Sequence, residues 1–345
     1  MRLTSRSLLA LSVLATSAGA ALLVACSDDD KAVPLTTDAG TDANSGADGG
    51  GTGNDCPAQP APTCTAQKCT EEAGGEPSVC VSGQCVKMKT ADCQKVGGDL
   101  SGANVVVIGA LLAQNGANKA SGESRINSLE LAVKEVNGAG GIPDPDTCKP
   151  ARTLAYVACD DANVAGAPDG GADGGPAPNA IDRIRGARHL IDVLKVPAIV
   201  GGSTSGNTLD IAKNAIVPSK VMQFAPSSTA ISITAPDFNA SPDGTRLLWR
   251  AAPSDVVQSV VLQKIFLAVE QQVKTAGVTS PKLALVTKND AYGKGIQEAF
   301  KAGLLVNGAA IPSASFLDIS YKTAPADTDG VLRADAVTQL KAFAP

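Results

Sequence analysis

The chain has 345 residues, of which 44% are hydrophobic, 3% aromatic and 18% charged. That length can bury a sizeable core and supports about two domains. A net charge of −5 gives no basic face for nucleic acid, which excludes that class of partner.

Arg2 and Arg6 precede an apolar stretch from Leu8 to Val24, the pattern of an export signal rather than of a folded element. The stretch closes on Leu23-Val24-Ala25-Cys26, which resembles the lipobox of bacterial lipoproteins. The resemblance implies that residues 1–25 are a signal peptide removed on export and that Cys26 is acylated. The following Ser27-Asp28-Asp29-Asp30 cannot enter a bilayer, so acyl chains would hold a soluble body at an extracytoplasmic membrane surface, on the periplasmic side or the cell exterior. The competing reading is an ordinary secretory peptide with an incidental cysteine. No other stretch is long and apolar enough to span a bilayer.

Residues 26–55, rich in Asp, Gly, Ala, Thr and Ser, have almost nothing to bury and read as a disordered acidic tether. Residues 56–93 hold six cysteines, Cys56, Cys64, Cys69, Cys80, Cys85 and Cys93, separated by 7, 4, 10, 4 and 7 residues. In an exported chain the expectation is three disulfides in a small stapled module, with 15 possible pairings. Zinc is the rival, but the Cys-x-x-Cys knuckles that it favours are absent. Cys80-Val81-Ser82-Gly83-Gln84-Cys85 reads as a tight hairpin.

The globular part starts with a buried strand, Asn104 to Gly109, and an amphipathic helix, Glu123 to Asn137, which Gly138-Ala139-Gly140-Gly141 stops. A strand over Thr153–Ala158, a helix over Ala180–Leu194 and a strand over Val196–Val200 follow, an alternation typical of doubly wound parallel sheets. Residues 162–179 are a low-complexity insertion, expected as a disordered surface loop. The run Ile216 to Phe224 reads as a further buried strand. Two strands thus end in small hydroxyl residues, Gly201-Gly202-Ser203-Thr204-Ser205-Gly206 and Ala225-Pro226-Ser227-Ser228-Thr229, where helices are expected to start. Serine and threonine there cap a helix and also suit a carboxylate. In an open α/β sheet the ligand crevice lies beyond such strand ends. The plain reading of the same hydroxyls is helix caps and turns, and Phe224 and Trp249 are expected in the core.

A second unit starts near Pro253, with helices over Val256–Val273, Gly293–Leu305 and from Ala334, and strands over Lys282–Thr287 and Ser315–Ile319. Two strands are too few for a sheet to stand alone.

Several motifs fall in one order: Ile108-Gly109-Ala110-Leu111-Leu112, Ser128 to Ile142, Ala198 to Gly206, Ala225 to Thr229, Leu248-Trp249-Arg250-Ala251-Ala252-Pro253-Ser254-Asp255 and Asn289-Asp290-Ala291-Tyr292-Gly293-Lys294-Gly295. Together they resemble the type I periplasmic binding proteins, the leucine/isoleucine/valine-binding-like receptors of branched-chain amino-acid ABC importers. The resemblance implies an α/β, two-lobed fold with doubly wound parallel sheets, lobe I over residues 103–250 and a partial, C-terminally truncated lobe II over residues 251–345. It implies a lipid-anchored solute receptor that binds an amino acid or similar small ligand between the lobes and works with ABC permease subunits. By this resemblance Ser205 would bond a ligand carboxylate, Ser227 and Thr229 would face its ammonium group, and Tyr292 would face it from lobe II. Ser121 holds a position that is often aromatic. Some members carry a disulfide from near Cys159 to the position of Thr204. Here the expected partner of Cys159 is Cys148, because eight cysteines remain besides Cys26, although an extended chain would hold the two more than about 30 Å apart.

Catalysis is not expected. His189, the only histidine, lies beside Arg185 and Arg188 on a helix and is expected to face solvent. Gly202-Ser203-Thr204-Ser205-Gly206 puts threonine at the nucleophile position of a Gly-x-Ser-x-Gly elbow, and no Walker A or His-Glu-x-x-His motif occurs. No cofactor or metal is expected. The reading from a different class is a surface interaction lipoprotein whose receptor domain is degenerate or truncated and inactive in transport.

Overall fold

A computed structural model describes residues 62–146, 148–162, 180–235, 243–306, 308–321 and 330–343, all within the compact unit Cys56–Pro345. The expected signal segment and tether, Cys26, Cys56 and residues 163–179 of the expected insertion lie outside the described residues.

The cysteine-rich segment opens with helix α1 (Ala66–Glu72), capped by the Thr65 hydroxyl, which accepts from the Lys68 amide at 3.2 Å. The antiparallel hairpin of β1 (Ser78–Val81) and β2 (Gln84–Lys87) follows. Ser82 and Gly83 both have positive φ, as a two-residue hairpin turn that matches strand twist requires. Cys80 and Cys85 sit opposite each other in this hairpin but bond elsewhere, Cys85 to Cys69 of α1 and Cys80 to Cys64 just ahead of that helix. The Cys64, Cys69 and Cys85 sulfurs lie within 4.8 Å of one another. All three are in disulfides, so no thiolate is left to hold a metal.

The third cysteine pair differs from the expectation. Cys93 starts β3 (Cys93–Gly98), which is not part of a separate stapled sheet. It pairs antiparallel with β5 (Thr153–Cys159), and the register puts Cys93 opposite Cys159, to which it is disulfide-bonded. Cys159 therefore does not pair with Cys148, which is itself disulfide-bonded. The segment just before β3 is fixed as firmly. Asp92, 2% exposed, takes a two-pronged bond from Arg185 at 2.6 and 2.7 Å and accepts from the Asp182 amide. Ala66, Val79 and Met88 enter the same buried cluster as the main sheet.

That sheet has six strands in the order β3-β5-β4-β6-β7-β8, with β4 (Val105–Leu111), β6 (Ala198–Gly201), β7 (Met222–Ala225) and β8 (Leu248–Arg250) all parallel to their neighbours. Alternation along the strands decides what each face buries. Leu154, Tyr156 and Ala158 of β5 with Ala110 of β4 pack under Ile126 and Val133 of helix α2 (Lys119–Gly138). Val157 and Cys159 with Val107 and Leu111 face the opposite layer. Its residues Leu190, Ile191, Ile211 and Ile216 come from α3 (Arg183–Arg188) and α4 (Ser205–Ile211) and from the wide π turns that continue each helix. Each such side chain, fully buried, stabilises the fold by roughly 1.5–3 kcal/mol. Helices on both faces of a parallel sheet are the doubly wound α/β arrangement expected from the sequence.

Three local expectations are corrected. Ile216 to Ser219 is helical, and the strand starts only at Met222. Pro218 is tolerated in the first turn of the short helix that starts at Val217, and Lys220, at φ 55°, reverses the chain. Phe224 and Trp249, paired across β7 and β8, are 40% and 52% exposed, because no described helix covers that part of the face. His189 does not point freely to solvent: it is half-buried, and its Nε2 lies 3.0 Å from the Met88 carbonyl oxygen.

Beyond β8 the chain forms α5 (Asp255–Thr275), β9 (Leu283–Lys288), α6 (Ala291–Ala302), β10 (Phe316–Tyr321) and α7 (Gly330–Phe343). β9 and β10 pair in parallel as a two-stranded sheet. Phe266 of α5 meets Phe300 of α6 edge-on at 6.3 Å. Val257, Val261 and Ile265 of α5 are more than half exposed. No described helix is long and apolar enough to cross a membrane.

Candidate functional site

The turn after β6 is built on close backbone approach. A Cβ on Gly201, at φ +146°, would stand 2.0 Å from the Leu111 carbonyl oxygen of β4, so only glycine fits there. Ser203 then locks the turn: its hydroxyl accepts from the Ala113 amide at 2.7 Å, and its own amide donates to buried Asp161. Thr204 caps α4, accepting from the Asn207 amide at 3.2 Å.

The turn after β7 is held to the first one. Thr208 and Ser228 share a buried hydroxyl–hydroxyl bond of 2.7 Å, and Gln223 Nε2 donates to the Gly201 carbonyl at 3.0 Å. The Ser205 hydroxyl accepts from the Ala230 amide at 3.3 Å. Among the described residues no α-helix follows this second turn, contrary to expectation; a short 3-10 turn, Ile231–Thr234, stands there. Behind it Arg250 donates to the carbonyls of Thr229 and Ala230 at 3.1 and 2.9 Å, and the Asp255 amide donates to the Thr229 carbonyl at 2.9 Å. The residues that leave the main sheet for the second unit thus fix the position of Thr229.

Opposite these turns, Asp290 caps α6 by accepting from the Gly293 amide at 2.8 Å. Its other oxygen pairs with Lys288 Nζ at 2.7 Å. The Tyr292 hydroxyl accepts from Gln258 Nε2 of α5 at 3.2 Å. Thr204, Ser205, Ser227 and Thr229 from the first unit and Gln258, Lys288, Asp290 and Tyr292 from the second surround one cavity of about 330 Å³. Four residues singled out from the sequence, Ser205, Ser227, Thr229 and Tyr292, therefore meet. Ser121 does not line this cavity: it is exposed on α2, and its hydroxyl donates to the Asn118 carbonyl at 2.9 Å.

No family model matches the chain, and no curated protein does. Among solved structures it is similar to LivJ from Streptococcus pneumoniae, a branched-chain amino acid transporter substrate-binding protein in complex with isoleucine (22% identity, 69% of this chain and 54% of that one, TM-score 0.46). It is also similar to an ABC transporter substrate-binding protein from Desulfitobacterium hafniense in complex with Leu (17% identity, 68% and 56%, TM-score 0.38). A third is a solute-binding protein from Rhodopseudomonas palustris in complex with 3,4-dihydroxybenzoic acid (16% identity, 68% and 52%, TM-score 0.42). All three are substrate-binding proteins. The chain spans about half the length of each.

Four cavity residues were not singled out from the sequence: Thr204, Gln258, Lys288 and Asp290. Lys288 and Asp290 flank the strand-to-helix turn that carries Tyr292, and this adjacency was a usable signal. Gln258, in the first turns of α5, gives none, because only the packing of α5 against α6 brings it to Tyr292.

The Asp161 carboxyl, fully buried below the first turn, has its pKa raised by loss of hydration, against the opposing effects of the Ser203 and Asn207 bonds and Arg183. In the unfolded chain it titrates near about 3.9. Between that pH and its higher folded value the native state holds more proton than the unfolded state, so its contribution to stability falls as pH rises. Asp161→Asn keeps an acceptor for the Ser203 amide and lacks this titration. The melting temperature of the variant relative to the parent is expected to rise from pH 4 to pH 7. A difference independent of pH would contradict the burial argument.

Proposed function

We propose that this chain is a non-enzymatic, extracytoplasmic solute-binding protein of an ABC importer. In this reading it takes an amino acid or similar small ligand in the cavity between the two units, passes it to permease subunits, and is held at the membrane through acylated Cys26. The observation that carries the reading is the meeting of Ser205, Ser227, Thr229 and Tyr292, from three separate turns, around one cavity. Its volume, about 330 Å³, suits a ligand of amino-acid size. In the proposed roles the Ser205 hydroxyl donates to a ligand carboxylate, while Ser227, Thr229 and Tyr292 complete the enclosure. The lipobox-like Leu23-Val24-Ala25-Cys26 supports the anchor.

Isothermal titration of the purified mature chain against an amino-acid panel tests this. At least one ligand is expected to bind, and Ser205→Ala is expected to weaken it about 10- to 100-fold, the loss of one hydrogen bond to a charged group. No heat with any ligand would remove the reading. The exposed apolar residues Val257, Val261 and Ile265 of α5, with Phe224 and Trp249 on the sheet, favour a second reading, a surface interaction protein with a degenerate receptor domain.

A further inference from the structure

The cavity has no aliphatic wall. Hydroxyls line it on one side, and Gln258, Lys288, Asp290 and Tyr292 on the other. An aliphatic side chain there would meet only the carbon stems, methyls and ring of polar residues, and would strip water from their donors without replacing it.

The donors that remain are at opposite ends. The Ser205 oxygen accepts from the Ala230 amide, which leaves its O–H to donate. Asp290 accepts from the Gly293 amide on one oxygen and pairs with Lys288 through the other, so it supplies no donor of its own. The Lys288 ammonium carries three N–H groups, and the Asp290 pair occupies one. The Tyr292 oxygen accepts from Gln258, which leaves the phenolic O–H to donate. The pairing with Asp290 also neutralises Lys288 formally, so an uncharged acceptor is as acceptable as an anion.

Resting on the receptor reading above, we infer that the ligand is an amino acid whose side chain ends in an oxygen acceptor, a carboxylate or a carboxamide, and that Lys288 is the residue that selects it. The main-chain carboxylate meets Ser205, and the side-chain oxygen meets the Lys288 ammonium with the Tyr292 hydroxyl beside it. An aliphatic side chain would have to enter the separate groove of about 440 Å³ lined by Leu262, Ile265, Phe266 and Leu285. That groove shares Gln258, Lys288 and Tyr292 with the polar cavity, and the Gln258–Tyr292 hydrogen bond belongs to the wall they have in common.

Calorimetric titration of the mature chain with glutamate, glutamine, aspartate, leucine and isoleucine decides the matter, repeated with Lys288→Met, which keeps the unbranched stem of the side chain, one atom shorter, and removes its charge. An acidic or amide ligand is expected to bind at least 10-fold more tightly than leucine or isoleucine. Lys288→Met is expected to weaken that ligand about 10-fold and to leave the unfolding midpoint in place. Equal or tighter binding of leucine or isoleucine overturns the assignment and leaves the receptor reading standing. So does unchanged affinity in Lys288→Met. Absence of heat with all five ligands overturns the assignment, and only absence of heat across the full amino-acid panel overturns the receptor reading as well.

Discussion

Gly293→Ala is expected to destabilise the second unit by about 1–3 kcal/mol, the usual range for forcing atoms into a packed site, and to weaken ligand binding at least 10-fold. A Cβ at this position would stand 1.9 Å from the Lys288 carbonyl oxygen and 2.8 Å from its amide nitrogen. Both are backbone atoms of β9, so they cannot swing aside as a side chain would. The first turn of α6 must move off the strand instead. Because the Gly293 amide holds Asp290, and Asp290 holds Lys288, that movement displaces Lys288, Asp290 and Tyr292 together. Gly295→Ala is the control. Its Cβ meets only the Ile231 amide nitrogen at 3.5 Å and the Ile231 side chain at 3.9 Å, ordinary contact distances, and alanine is the better helix former by up to about 1 kcal/mol. Thermal melts and titrations of the two variants side by side check this. If Gly293→Ala melted and bound like Gly295→Ala, the close contact at β9 would have no consequence.

The second large effect is expected from the double substitution Cys93→Ser with Cys159→Ser, a loss of roughly 2–5 kcal/mol. The bridge spans 66 residues of sequence, against 16 for Cys64–Cys80 and for Cys69–Cys85. In the chain-entropy account a closed loop of that length contributes about 4 kcal/mol and the shorter loops about 3 kcal/mol each. Edge strand β3 also depends on this bridge and on the Asp92–Arg185 pair to stay on β5. Urea titration of the double variant, with the remaining bridges intact, should show a midpoint shifted far down. An unchanged midpoint would mean that the ladder of β3 on β5 is enough without the cross-link.

Much of this arrangement was legible where the cause is local. The alternation of apolar strands and amphipathic helices identified the doubly wound class, and Ser82-Gly83 identified the hairpin, because both follow from the periodicity and φ preferences of a few consecutive residues. Thr204-Ser205 read correctly as a helix start, since capping involves one turn of chain. Ile216 to Phe224 was misread for the converse reason. An apolar run has no period that separates a buried helix end from a buried strand, and Lys220 in the left-handed region marks the break without a glycine to signal it. Phe224 and Trp249 are apolar, but whether they are buried depends on what lies over β7 and β8.

The sequence by itself determined the chain order of the elements, the small hydroxyl turns at strand ends and the α/β class, because each is encoded within a few neighbouring residues. Only the tertiary structure decided that Cys159 pairs with Cys93, that Ser121 stands away from the cavity, and that Gln258 joins Tyr292 in its far wall. These outcomes depend on the register of β3 against β5 and on the packing of α5 and α6 over β9. Such relations join residues tens of positions apart, and local propensity holds no record of them.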